Sequence, residues 1–346
     1  MDRIGEVPLS VLDLSPIVEG SSVAQALNNT LDLARHVEKW GYHRFWLAEH
    51  HNIAGVASAA TSVLLASVAG VTESIRVGSG GIMLPNHAPL MIAEQFGTLE
   101  ALHPGRIDLG LGRAPGGDFA TAQALRRNLG SSGDTFPDDL EELQGYLAPS
   151  QPGQAVRAIP GEGSNIPIWL LGSSDFGARL AASKGLPFAF ASHFAPDHLF
   201  EALGRYRSQF RPSGTLAKPY AMVGLNVVAA ETDDEARFLF TTLLQAFLGM
   251  VQGKRGPMKP PVESMSRLWS PTERSAVERM LRCSVVGSPA TVGQGLQSLI
   301  EATGADELLI SSPIFDHSLR LRSYELTRRG FAEVVSKPDL ILQSVG

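Results

Sequence analysis

The chain is poor in the features that mark several protein classes. It carries one cysteine, Cys283, in 346 residues, which excludes an internal disulfide and a cysteine-rich metal site. No run of about eighteen apolar residues goes without a polar break, so no transmembrane helix is expected. There is no basic run, and a net charge of −6 leaves no electrostatic footprint for nucleic acid or an anionic membrane surface. Met1-Asp2-Arg3-Ile4-Gly5 shows no apolar core after a basic start, so a secretory signal is not expected. Together these absences point to the cytoplasm.

Catalytic signatures are missing too. Gly110-Leu111-Gly112 begins like a dinucleotide fingerprint, but Pro115 stands where the third glycine belongs. No phosphate-loop signature and no Gly-x-Ser-x-Gly elbow occur, which argues against a nucleotide hydrolase or a serine hydrolase. His50 and His51 are adjacent, and strand neighbours point to opposite faces, so they make a poor metal pair. With no His-x-His and no His-Glu-x-x-His, no metal site is expected.

What is present is a core and a rhythm. Apolar residues make up 44% of the chain and are spread along it. Short apolar runs at 7–14, 44–48, 76–84, 106–111, 166–171, 187–191, 220–230 and 307–311 alternate with helical patterns. The first helix, 21–40, has a capping box at Ser22 and Gln25, an apolar face of Leu27, Leu31, Ala34 and Val37, and a stop at Gly41. Eight strands each followed by a helix predict an α/β fold, a single (β/α)8 barrel domain over 1–346. A doubly wound open sheet is the structural alternative. The proline-rich, basic stretch 252–271 interrupts the seventh unit, either as an insertion over the barrel mouth or as a plain surface loop.

Barrel sites lie at the carboxyl ends of the strands. Polar residues gather there: Glu49-His50-His51-Asn52, Asn86-His87, Arg113, Ser173-Ser174-Asp175, Ser192-His193, Ser311-Ser312 and Asp316-His317. Any one of them could be ordinary loop polarity; as a set they favour a site. Gly78-Ser79-Gly80-Gly81 inside a strand indicates either close backbone approach by a ligand or tight packing against a bulky neighbour. The turn 171–177 (LGSSDFG) reads either as an anion site at a helix start or as a serine N-cap.

These segments resemble the bacterial-luciferase-like flavin monooxygenases. The resemblance rests on 45–51 (FWLAEHH), 78–85 (GSGGIMLP), Ala93-Glu94-Gln95, 104–112 (PGRIDLGLG) with Arg113, 169–174 and 180–187. It implies a (β/α)8 barrel, commonly dimeric, using reduced FMN from a separate flavin reductase on a small organic substrate with O2. The resemblance sets Glu49 and His50 beside the flavin ring and Gly80-Gly81 as a cis peptide against it. It also sets Met83 and His193 among the cofactor contacts, and Arg113 with Ser173, Ser174, Asp175, Phe176 and Gly177 at the phosphate. His50 is the expected proton carrier, because imidazole titrates near neutrality. Glu49 would set its tautomer or touch the flavin, and His51 would face away. Gly112 replaces the reactive cysteine of the luciferases, so light emission is not implied. A phosphate-binding arginine has no match near Phe136-Pro137, and Arg126 is the candidate substitute. Val63, Leu64, Met91 and Phe96 are candidates for a homodimer face. A deazaflavin (F420)-dependent oxidoreductase and a non-catalytic flavin-binding protein are the alternatives.

Overall fold

In the computed structural model, residues 7–114, 119–125 and 135–336 are described. Strands β1 (Leu9–Asp13), β2 (Arg44–Leu47), β3 (Arg76–Ser79), β4 (Ile82–Met83), β5 (Ile107–Gly112), β6 (Ile168–Gly172), β7 (Phe188–Phe190), β8 (Ala221–Ala229), β9 (Ser284–Gly287) and β10 (Glu307–Ser311) are all in parallel pairs. The order β10-β1-β2-β3-β5-β6-β7-β8 closes where β8 pairs with β10, Glu307 opposite Met222 and Ser311 opposite Asn226. Closure excludes the open sheet and makes the fold a (β/α)8 barrel.

Eleven helices are described around it: α1 (Val23–Lys39), α2 (Thr61–Gly70), α3 (Pro89–Leu102), α4 (Phe119–Leu125), α5 (Phe136–Leu147), α6 (Asp175–Lys184), α7 (Leu199–Gln209), α8 (Asp233–Val251), α9 (Pro271–Met280), α10 (Pro289–Thr303) and α11 (His317–Ser336). Their starts are chemical. Ser22 accepts from the Gln25 N–H at 3.1 Å, Thr232 caps α8, and Ser270 with Glu273 forms a capping box on α9. Gly185 and Gly304, both left-handed, stop α6 and α10.

Two strand expectations need correcting. The third strand is not continuous over 76–84: it breaks at a cis peptide between Gly80 and Gly81, and the resumed piece, β4, pairs only with β5. Ser79 Oγ spans the break, donating to the Gly110 carbonyl at 2.8 Å and accepting from the Gly110 N–H at 3.0 Å. Between α8 and β10, the sequence pattern left α9, β9 and α10 unassigned; β9 extends the sheet beside the end of β8, outside the closed ring. Its short run, SVVG, gives too little period to read.

Two apolar layers follow from strand alternation. The larger lies between strands and helices. The smaller fills the barrel with Leu12, Trp46, Ala48, Trp169, Ala189, Met222 and Leu309. Trp46 meets Trp169 edge-on at 5.2 Å, and Trp169 meets Tyr220 edge-on at 5.6 Å. Below them, at the amino ends of the strands, Arg44 is buried between Asp108 (2.7 Å) and Glu307 (3.0 Å). Tyr220 and Ser10 donate to Glu307, while Arg76 and Trp46 donate to Asp108. Burial works against the Arg44 cation, yet the two carboxylates hold its pKa above the ordinary guanidinium value.

Asp108, Leu12 and Trp46 together account for the glycines at positions 78 and 80: a Cβ on Gly78 would lie 2.7 Å from Asp108 Cβ and from its carbonyl oxygen. A Cβ on Gly78 would lie 2.8 Å from Trp46 Nε1, and one on Gly80 would lie 2.7 Å from Leu12 Cδ1 and 3.2 Å from Trp46 Cβ. Of the two readings of these glycines, tight packing against a bulky neighbour is met at both positions.

Gly110 is the most constrained of this group, since a Cβ there would lie 2.1 Å from the Ser79 carbonyl oxygen. Gly110→Ala is expected to cost about 3 kcal/mol or prevent folding, because backbone must move. Gly145→Ala, on exposed helix with nothing within 4 Å, is expected to gain about 0.5–1 kcal/mol. Denaturant unfolding of both variants checks the contrast; equal effects would contradict it.

Candidate active site

Strand β2 delivers the central group. Beyond Leu47 the chain stays tied to β1, the Ala48 N–H donating to the Asp13 carbonyl at 3.1 Å. Asn52 then reverses direction with φ 55, a left-handed conformation that asparagine tolerates. Glu49, 1% exposed, points into this turn and its carboxylate is saturated. Oε1 accepts from His51 Nε2 at 2.7 Å and His87 Nε2 at 2.8 Å, and Oε2 accepts from the Met83 N–H at 3.0 Å. Burial pushes the Glu49 carboxyl up, but the hydrogen bonds and charge of His87, then His51 and the Met83 N–H, hold it below the usual carboxylate range. One carboxylate thus fastens together the β2 end, the strand resumed after the cis peptide, and the turn before α3.

His51, expected to face away, instead has its Nε2 on Glu49. His87 was visible only as a polar strand-end residue, and a bond to a residue 38 positions earlier leaves no local signal.

His50 has no such partner. Its Nδ1 is enclosed without a hydrogen bond among the described residues. Burial depresses its pKa, the Arg255 cation and His51 depress it further, and Glu49 opposes. His50 is thus held neutral near pH 7 with an open ring nitrogen. His193, beyond β7, is similar: Nδ1 enclosed and unpartnered, pKa lowered to about 4 by burial and then by His50. Its carbonyl accepts from Asn226 Nδ2 at 2.6 Å, its ring stands edge-on to Phe194 at 4.9 Å, and Gly224 leaves it room. Asn226 is a buried polar residue on the inward face of β8 that the hydrophobic run 220–230 concealed.

Across the mouth, the Arg113 guanidinium lies 4.1 Å over the Phe176 ring, joining the end of β5 to the β6–α6 turn. Ser174 caps α6 in an extended conformation but makes no side-chain cap bond. The first N–H groups of that helix therefore keep their capacity for an anion. Asp175 is committed elsewhere, paired with Arg179 at 2.5 Å and Arg205 at 2.9 Å. Phe176 and Gly177 begin the helix, and Gly177 packs on Phe188. Arg126 lies outside the described residues.

Met83 has a second contact. A Cβ at Gly112 would lie 3.0 Å from Met83 Sδ, so a side chain at position 112 would require the flexible Met83 to shift. The polar ends at Ser312 and His317 are structural: Ser312 bonds Ser323 and Tyr324, and His317 bonds Asp32. Among the described residues no group of three or more His, Cys, Asp or Glu could hold a metal ion.

The profile of the luciferase-like monooxygenases matches residues 8–307. The chain belongs to that family. It is 55% identical to a luciferase-like monooxygenase of Escherichia coli K12 over 320 residues, covering 92% of this chain and 96% of the relative. It is 33% identical to the N-acetyl-S-alkylcysteine monooxygenase of Bacillus subtilis over 327 residues, covering 92% and 97%. The solved structure of apo-MsnO8 superposes with a TM-score of 0.88 at 39% identity, covering 94% of this chain and 98% of that one. At low identity the fold alone is shared with an FMN complex, the oxygenating constituent of the Pseudomonas putida 3,6-diketocamphane monooxygenase (18%, TM-score 0.72), and with an F420-dependent secondary alcohol dehydrogenase (14%, TM-score 0.65).

Glu49→Gln removes the charge that two imidazoles and an N–H address, and is expected to cost about 2–3 kcal/mol at pH 7. Because the folded Glu49 pKa is depressed, its contribution is present above about pH 4.5 and lost as pH falls below it, so the gap to wild type closes there. A gap independent of pH in urea unfolding would contradict this. His193, also depressed, contributes stability above pH 6.5 that is lost as pH falls towards 4. His193→Gln is expected to flatten the decline of Tm over that window, and an unaltered slope would remove His193 as its source.

Proposed function

We propose that the protein is a flavin-dependent monooxygenase that uses reduced FMN and O2 on a small organic substrate, with the reduced flavin supplied by a separate reductase. The observation that carries this reading is the mouth of the barrel. There, His50 and His193 each hold an enclosed, unpartnered Nδ1, and Glu49 fixes the backbone just beyond Gly80-Gly81 through the Met83 N–H. The residues present fit the cofactor. The Gly80-Gly81 backbone, with Met83 beyond it, would bear the flat ring. Arg113, Ser173, Ser174 and the α6 N-terminus offer a cation and N–H donors for a phosphate. When bound, reduced FMN supplies the electrons and the reaction with O2.

The chain's own part is to bind, orient and move protons. His50, neutral and with Nδ1 open, accepts a proton at that atom, and its low basicity lets it return the proton readily. Glu49, saturated by three donors, does not take part in proton transfer; it is a positioning residue for His51, His87 and the Met83 backbone.

The same reading includes a single barrel domain in the cytoplasm and a homodimer. For the dimer, α2 and α3 are apolar on nearly every side. Val63 and Met91 are exposed at 68% and 55%, whereas Leu64 and Phe96 are buried against the barrel and are withdrawn from the candidate face.

Oxygen uptake with enzymatically reduced FMN tests the proposal. His50→Ala is expected to bind FMN normally and lose coupled turnover by about 10²-fold or more. Arg113→Ala is expected to weaken FMN binding by about tenfold or more. Uptake of O2 absent with FMN but hydride transfer present with F420 would overturn the monooxygenase reading, and tight binding of oxidised FMN without any turnover would make the protein a flavin carrier.

A further inference from the structure

Strand alternation decides which side chains of β8 and β10 enter the barrel. On β8, Met222 lies in the inner apolar layer while Val223, Leu225 and Val227 lie in the outer one, so Gly224 and Asn226 also point inward. On β10, Leu309 is inner and Leu308 and Ile310 are outer, so Ser311 points inward. Asn226 and Ser311 are register partners on these two neighbouring strands. They stand together at the carboxyl ends, beyond the inner apolar layer, and are only 3% and 8% exposed.

The hydrogen bonds of this pair are incomplete. Asn226 Nδ2 donates to the His193 carbonyl at 2.6 Å and lies 3.5 Å from Ser284 Oγ. A carbonyl oxygen can be faced only by the NH2 arm of the amide, so this bond fixes its orientation and leaves Oδ1 as a bare acceptor. Neither Oδ1 nor the Ser311 hydroxyl takes a hydrogen bond among the described residues. Neither is sealed in as Nδ1 of His50 and His193 is. An acceptor and a donor side by side on a buried wall cost stability unless something answers them. In the ring order, β8 and β10 stand across the barrel from β3 and β5, the strands that lead to Gly80-Gly81 and Arg113. The pair is thus on the wall opposite the one fitted to the flavin. A secondary amide carries one donor and one acceptor and answers both groups. A carboxylate has no donor and would set its oxygens against Oδ1.

We propose that Asn226 and Ser311 determine specificity in the substrate pocket by receiving an uncharged amide of the organic substrate, its N–H on Asn226 Oδ1 and its carbonyl on the Ser311 hydroxyl. This rests on the monooxygenase reading given above. Binding tests it apart from turnover. Propanoyl, octanoyl and 3-phenylpropanoyl compounds, each as the N-methylamide, the N,N-dimethylamide and the free acid, are titrated calorimetrically into the FMN-loaded protein. At least one N-methylamide is expected to bind about fivefold or more tightly than both its dimethylamide and its acid. Asn226→Ala is expected to bring the ratio of the two amides to about one. Ser311→Ala, which removes no bond of the free protein, is expected to weaken both amides by a similar factor of about five, with their ratio, the FMN affinity and Tm unchanged. No preference for the N-methylamide in any series would overturn the proposal, as would a preference that survives in Asn226→Ala. So would Ser311→Ala binding both amides as wild type does, a result that decides even where Asn226→Ala does not fold. Absence of O2 uptake alongside a retained, Asn226-dependent amide preference would count against the monooxygenase reading and leave the amide site standing.

Discussion

A single buried carboxylate organises the mouth of this barrel. Glu49 accepts three hydrogen bonds from three places in the chain, at 2.7, 2.8 and 3.0 Å, and none of its donors is on the same element as another. A carboxylate taken out of water is stabilised only by such saturation. Once it is met, the β2 end, the strand resumed after the Gly80–Gly81 cis peptide and the turn before α3 have a fixed relation. His50, next in the chain, inherits that fixity without sharing the carboxylate. The same clamp explains why the imidazole left without a partner at the mouth is His50 and not His51 or His87.

The two ends of the barrel divide the work. At the amino ends, charges are buried in complete pairs: Arg44 lies between Asp108 and Glu307, and Arg76 also binds Asp108. At the carboxyl ends, polar groups are left incomplete: Nδ1 of His50, Nδ1 of His193, and an α6 N-terminus whose serine makes no cap bond. A satisfied network stabilises and specifies, whereas an incomplete one keeps capacity for a ligand. Between them lies the layer of Trp46, Trp169 and Tyr220.

Much of this was legible beforehand, for physical reasons. Alternating runs and caps such as Ser22 are local, so the strand and helix succession could be read from them, and position at strand ends pointed to Glu49, His50, Arg113 and His193. What escaped depends on distance. The resemblance set the cis peptide at Gly80–Gly81, but the interruption of the strand there is a backbone event inside an apolar run. The bond from His87 to Glu49 and the bond from Asn226, in a nine-residue buried strand, to the His193 carbonyl both join segments far apart in the chain. Leu64 and Phe96 illustrate the same limit: on helices apolar nearly all round, the pattern does not say which side faces the barrel.

The most direct measurement is a crystal structure of the protein with FMN bound. The account predicts the flavin ring against Gly80–Gly81, His50 Nδ1 turned towards it, Glu49 still holding His51, His87 and the Met83 N–H, and the phosphate at Arg113 and the start of α6. A flavin seated away from the cis peptide, or a Glu49 released from its three donors, would contradict it.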